Sequence, residues 1–213
     1  MGAGDVEVLD VAVVYDGRFR MLRYRLRHRL FGGGWSGELT RELFERGHAA
    51  AVLPYDPERD AVVLTEQFRI GALNDASGPW QIEAVAGVID RDGDSAEETV
   101  RREATEEAGL ELGRVAFVGD YLASPGGTSE RVGVYVGEVD AVGAGGIHGL
   151  PDEGEDIRVE VVPFDEAMRR LEAGRILAAH TVIALLWLAL HRDGLRARWR
   201  RATGGGGAAA VRA

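Results

Sequence analysis

Apolar and polar positions along this chain follow two different periods. Residues 6–14 (VEVLDVAVV) and 19–30 (FRMLRYRLRHRL) repeat every two residues, as a strand requires, because successive side chains of an extended backbone point to opposite faces. In the second segment Leu22, Tyr24, Leu26, His28 and Leu30 form one face, and Arg23, Arg25, Arg27 and Arg29 the other. Gly32, Gly33 and Gly34 end that pattern. Residues 48–55 and 61–68 read as a strand pair joined by a turn at Pro57, Glu58 and Arg59. Further strands are predicted at 80–89, 114–122, 131–139 and 157–163. Helices are predicted at 95–108, 164–173 and 178–192. Strands mixed with few helices, without a regular βαβ rhythm, predict an α/β or α+β domain. Residues 196–213 are expected to be an unstructured tail, most plainly in TGGGGAAAVRA from Thr203.

Composition narrows the possible chemistry. The chain has 213 residues, suited to one domain with a small extension, and a net charge of −10. All 25 basic residues are arginine, which reads as genomic bias. An acidic chain is a poor general binder of nucleic acid, so the Arg23–Arg29 face reads as solvated or interfacial. No nucleic-acid partner is expected. A phosphate substrate would need a local offset to the negative charge, which a divalent cation supplies. With no cysteine, disulfides, zinc–thiolate sites and cysteine nucleophiles are excluded. Residues 1–10 do not resemble a signal peptide. The apolar run Val182–Leu190 is too short to span a bilayer, which needs about 20 residues. A cytoplasmic location without membrane contact is the expectation.

Residues 83–110 (EAVAGVIDRDGDSAEETVRREATEEAGL) carry the strongest chemical signal. Ser95 and Glu98 form a capping box that predicts the start of a helix, and Gly109 stands where it should stop. Within it Glu103, Glu106 and Glu107 share one face. Like charges one turn apart repel, which makes sense around a hard cation with oxygen ligands. The plainer alternative is a solvated acidic face with Glu98 pairing to Arg102.

The run from Arg102 to Leu110 (REATEEAGL) resembles the core of the Nudix box, R-E-U-x-E-E-x-G-U with U apolar. Upstream, six residues separate Gly87 from Asp94, where the family has five and then a glutamate. The likeness extends over roughly residues 15–192. It includes ASPGGTSER from Ala123, GIHGLPDEGEDIRV from Gly146, TRELFERGHA from Thr40, and Pro125 about fifteen residues past the box. These segments resemble the bacterial ADP-ribose pyrophosphatase branch of the family.

The resemblance implies a Nudix fold, a mixed β-sheet sandwiched between helices, with a small N-terminal β-extension. It implies an N-terminal dimerisation region at 1–47, a hydrolase domain at 48–195 and a tail at 196–213. It also implies hydrolysis of a nucleotide-sugar diphosphate, first of all ADP-ribose to AMP and ribose 5-phosphate. GDP-mannose, a UDP-sugar or a silent nucleotide-binding role are the alternatives. Mg²⁺ is the implied cofactor, two or three ions per site, with Mn²⁺ as a substitute. Glu103, Glu107 and the backbone carbonyl of Ala86 are implied as metal ligands, with Glu106 nearby and Glu155 added when substrate is bound. Glu153, in the acidic run 152–156, is implied as the general base. A carboxylate held by metals accepts protons poorly, which is consistent with a separate base. Flanking glycines at 146, 149 and 154 suggest a lid. Arg69 is implied to engage the diphosphate and Val88 to line the pocket. Arg18, Phe19, Arg41, Glu42, Arg46, Ser124, Pro125, Gly126 and Glu130 are implied as outer substrate contacts, several of them supplied across a homodimer whose N-terminal strands pack on or exchange with the partner. Arg18 stands where the branch has an aromatic residue.

Overall fold

The computed structural model describes residues 1–91 and 93–203, with backbone alone for Glu153 and for 200–203. The chain divides into two compact units. One comprises Met1–His48 and Tyr121–Arg131, and the other Ala49–Asp120 and the chain from Val132 onward.

The N-terminal unit is built on a three-stranded antiparallel sheet of β1 (Val6–Asp16), β2 (Arg20–His28) and β3 (Leu39–Glu45), with β2 in the middle. The predicted alternation of β2 is realised. Arg27 pairs with Glu7 at 2.7 Å and Arg25 with Glu38 at 2.6 Å. Arg27 and Arg29 also lie over the Trp35 ring, 5.2 and 4.3 Å from its centroid. Much of the arginine face is thus engaged within its own unit. β3 has no counterpart in the sequence prediction. Three consecutive polar residues, Thr40, Arg41 and Glu42, interrupt its alternation, and its pairing is with β2 along its length and with Thr128 at Phe44 alone.

The second unit is built on an eight-stranded mixed sheet. Its strands are β4 (Ala49–Asp56), β5 (Ala61–Phe68), β6 (Trp80–Glu83), β7 (Val85–Val88), β8 (Val115–Leu122), β9 (Arg131–Glu138), β10 (Gly146–His148) and β11 (Ile157–Pro163). The main order is β10-β11-β5-β4-β9-β8. β6 adds to β5, and β7 to β4. The helices are α1 (Ala96–Ala108), α2 (Phe164–Glu172) and α3 (Ala179–Thr203).

Strand β4 lies parallel to β9 and is buried almost throughout, as its unbroken apolar run requires. Its two faces meet different helices. Ala50 and Val52 pack with Val100, Ala104 and Ala108 of α1. Tyr55, of the opposite parity, meets Trp199 of α3 with ring centroids 6.4 Å apart. Helices therefore cover both faces of the sheet, as the sequence implied.

The predicted strand at 80–89 is two strands. β6 pairs with β5 while β7 pairs with β4, so the chain changes partner at Ala84. α3 corrects the expected tail. It runs to Thr203, and Trp199 is buried within the stretch that composition suggested was unstructured. The remainder of that tail, 204–213, lies outside the described residues. No helix among the described residues is long and apolar enough to cross a membrane.

Candidate active site

Helix α1 starts where the capping box places it. Ser95 Oγ accepts from the Glu98 amide at 3.2 Å, and Glu98 Oε2 accepts from the Ser95 amide at 2.8 Å. Such reciprocal caps contribute about 1 kcal/mol each. The helix ends at Gly109 in the left-handed conformation, φ 64°. Glu98 is thus held by Ser95, and Arg102 turns instead to Glu103 at 2.7 Å and Glu106 at 3.0 Å. The solvated acidic face with a Glu98–Arg102 pair is not what forms.

The face carrying the carboxylates turns inward. Glu107 is only 2% exposed. Its Oε1 accepts from Gln67 Nε2 at 3.3 Å, and its Oε2 from the Ala86 amide at 3.2 Å. Burial pushes its pKa up to about 7, against the pull of those two hydrogen bonds and of the Arg69 charge. Burial also raises the Glu103 carboxyl, opposed by the Arg102 guanidinium beside it and reinforced by the charges of Glu106 and Glu155. A Cβ at Gly87 would collide with the Glu103 carboxylate, so the box glycine is the space into which Glu103 reaches. Val88 follows two residues after Ala86 on the same short strand, β7.

The other implied ligands have protein partners of their own. Glu106 faces Arg102 and also Arg91, the latter at 3.7 Å. Glu155 Oε2 accepts from the Leu150 amide at 3.0 Å. Among the described residues no three acidic or imidazole side chains converge into a ready-made metal cluster. The backbone of Glu153 ends a short 3-10 turn, Pro151–Glu153, closed by Gly154 at φ 73°. Its side chain lies outside the described residues, so its role as base is carried by the resemblance.

Glu103 and Glu107 nevertheless suit a hard divalent cation. Glu107 is buried and Glu103 partly so, burial pushes both toward protonation, and Glu107 is held against the backbone of Ala86.

Gln67 is the contact that sequence reasoning missed. An amide on a strand carries no spacing signal. Only the register of β5 places it against Glu107.

The outer residues of the resemblance belong to the N-terminal unit. There Phe19 meets Phe44 edge-on at 5.3 Å, with the guanidiniums of Arg18 and Arg46 over its ring at 5.8 and 5.4 Å. Arg46 pairs with Glu130 at 3.4 Å. Ser124 opens a turn through Pro125 and Gly126, its carbonyl accepting from the amides of Gly127 and Thr128 at 3.0 Å each. Arg41 donates to the carbonyl of Thr40 at 2.8 Å, and Glu42 pairs in register with Arg23. Phe19, Arg18, Arg46 and Glu130 therefore form one cluster, from which Arg41 and Glu42 stand apart on β3.

Comparison with known proteins settles the family. A family model described as NUDIX domain matches residues 45–182. The chain belongs to the Nudix family. This Nudix chain is 54% identical over 198 residues to the ADP-ribose pyrophosphatase of Escherichia coli K12, covering 93% of this chain and 94% of that protein. It is 41% identical over 200 residues to the ADP-ribose pyrophosphatase of Haemophilus influenzae, covering 92% of each. A GDP-mannose pyrophosphatase of Pectobacterium atrosepticum is 33% identical over 185 residues, covering 84% of this chain and 92% of that one. A solved structure described as an ADP compounds hydrolase superposes with a TM-score of 0.70 at 21% identity, covering 90% of this chain and 96% of that one, which bears on the fold alone. A Nudix hydrolase is an enzyme, and Glu103, Glu106 and Glu107 of α1 fall within the matched residues.

Proposed function

We propose that this Nudix hydrolase cleaves the diphosphate of ADP-ribose to AMP and ribose 5-phosphate. The observation that carries the reading is the buried Glu107 against Ala86, with Glu103 one turn before it, in a chain resembling ADP-ribose pyrophosphatases over nearly its whole length. Glu103, Glu107 and the carbonyl of Ala86 would hold Mg²⁺, two or three ions when Glu155 and Glu106 join them. Bound there, the metal supplies charge neutralisation at the phosphate oxygens and acidifies water. Mn²⁺ fits the same oxygen donors.

The rest falls to the chain's own groups. Arg69 binds the diphosphate through a guanidinium fork matched to phosphate oxygens. Glu153 takes a proton from the attacking water. The water oxygen bonds to one phosphorus, and the bridging oxygen leaves with the other phosphate. Gly149 (φ 101°) and Gly154 give the loop carrying Glu153 backbone freedom for closure. Val88 lines the pocket. Phe19, with Arg18 and Arg46 on its ring, is the platform we assign to the base. Arg41, Glu42, Glu130 and the 124–126 turn complete the outer contacts.

We also propose a homodimer formed through the N-terminal strands. On β1 the side chains of Val6, Val8, Leu9, Val11, Val13, Val14 and Tyr15 are all exposed, an apolar ribbon that a second copy would cover.

A panel of ADP-ribose, GDP-mannose and a UDP-sugar with Mg²⁺ tests the substrate. The highest kcat/KM is expected on ADP-ribose, and a place for it among the worst substrates would overturn the reading. GDP-mannose is the second reading, favoured by the likeness to the Pectobacterium enzyme.

A further inference from the structure

Beside the carboxylate platform, Arg69 is paired with a buried carboxylate, Glu83, to which the chemistry above gives no part. Glu83, the last residue of β6, is buried although charged. Arg69 follows β5 directly. The register Phe68↔Trp80 and Thr65↔Glu83 turns the chain back along β6, and the Arg69 amide donates to the Pro79 carbonyl at 2.7 Å. The Arg69 side chain then lies along its own hairpin. Its Nε and Nη2 meet Glu83 Oε2 at 2.8 and 2.7 Å. Its Nη1 makes no hydrogen bond within the described residues, and the side chain is about two-fifths exposed.

Behind the pair stands His180, in the first turn of α3. It is partly buried, its buried Nε2 has no partner among the described residues, and it lies within electrostatic reach of both Glu83 and Arg69. Next to it Thr181 Oγ1 accepts from the Ala84 amide at 2.8 Å, tying the start of α3 to the residue after Glu83. The Arg69 charge also reaches Glu107.

We propose that Glu83 is a positioning residue for the diphosphate: by gripping the Nε–Nη2 edge of Arg69 from a buried seat braced by α3, it presents Nη1 to the phosphate oxygens before substrate arrives. The inference rests on Arg69 as the diphosphate contact of the proposed reaction. A buried carboxylate is costly unless paired, so the grip holds without substrate. An arginine left loose in water would lose its rotamer freedom at binding instead, and prior orientation removes that cost.

The experiment is a double-mutant cycle on the full chain with saturating Mg²⁺, comparing wild type, Glu83→Gln, Arg69→Ala and the double variant. Glu83→Gln is expected to lower kcat/KM about tenfold, with the double variant no slower than Arg69→Ala alone and the Mg²⁺ concentration for half-maximal rate unchanged. Losses that multiply in the double variant overturn the inference. So does a shift in Mg²⁺ requirement large enough to account for the loss of rate, which would make Glu83 a metal ligand. A wild type that hydrolyses no nucleotide sugar sinks the reaction but leaves the grip to be read directly. Without substrate, the Arg69 Nε–H should exchange slowly with solvent in NMR spectra, and rapidly in Glu83→Gln. Fast exchange in the wild type overturns the inference, and this measurement decides even if the variant fails to fold.

Discussion

The two units of this chain treat charge and apolar surface in opposite ways. In the second unit, β4 is buried on both faces and acids are sunk into the protein, with Glu107 at 2% and Glu83 at 5% exposure. In the N-terminal unit the reverse holds. β1 leaves Val13 at 53% and Tyr15 at 64% exposure, and its charged residues pair at the surface. Burial makes a carboxylate an avid partner for a cation, while the Phe19 ring and its two guanidiniums stand in the unit whose apolar surface is exposed. On the proposed reading, rate rests with the carboxylates of the second unit and affinity with the Phe19 cluster of the first.

The sharpest break of that contrast is Glu107→Gln. Loss of one preorganised charged group in a water-poor site costs on the order of 10³-fold in kcat. The amide is nearly isosteric and carries no buried charge, so thermal stability should hold or rise. Assays across a Mg²⁺ series, with a melting curve beside them, check both halves, and an unchanged rate would refute the metal assignment. Glu153→Gln comes next. A general base is worth roughly 10²–10⁴-fold, so kcat should fall within that range while KM stays near its wild-type value. A large rise in KM instead would reassign Glu153 to positioning. Gly87→Ala tests the space rather than the charge. Its methyl would push Glu103 aside, and we expect about a hundredfold less activity, with more Mg²⁺ needed to reach it.

Phe19→Ala carries the comparison into the N-terminal unit. Stacking of a base on an aromatic ring is worth about 1–3 kcal/mol, so KM should rise tenfold or more with kcat nearly untouched. Steady-state kinetics on ADP-ribose separate the two parameters. A fall in kcat with unchanged KM would undo the division of labour.

How much of this was legible in the sequence follows the same line. Helix α1, its cap, its stop and its three glutamates were readable because local spacing fixes them. The alternating strands β1 and β2 were readable for the same reason. What escaped depended on partners distant in the chain. β3 is held by pairing with β2 and has no clean period. The break at Ala84 exists only because β6 and β7 pair with different strands. Gln67 and the Glu83–Arg69 pair owe their places to register. The end of α3 was an avoidable loss: Leu188, Leu195 and Trp199 recur at seven and four residues, a helical stripe running through the arginine-rich stretch.

The smallest expected effect concerns stability alone and tests how rigidly the second unit encloses its polar groups. Burial holds the His180 imidazole below its ordinary value of 6.5. The Glu83 carboxylate and the Ala84 backbone pull it upward, and Arg69 pushes it further down. A group whose folded pKa is lowered binds its proton first in the unfolded chain. Stability is therefore complete above pH 6.5 and is lost as pH falls from there toward the folded value. His180→Asn removes the titration while keeping a polar side chain of similar reach. The variant should be less stable than wild type at pH 7.5, where packing dominates, but its melting temperature should fall less between pH 7.5 and 5. Each kcal/mol is worth about 2–4 °C in a chain of this size, so the narrowing is within the precision of paired melts. The other histidines are common to both proteins and cancel in the difference. Equal acid losses in the two would mean that His180 accepts its proton as readily folded as unfolded, and that the second unit is less closed around Glu83 than its burial implies.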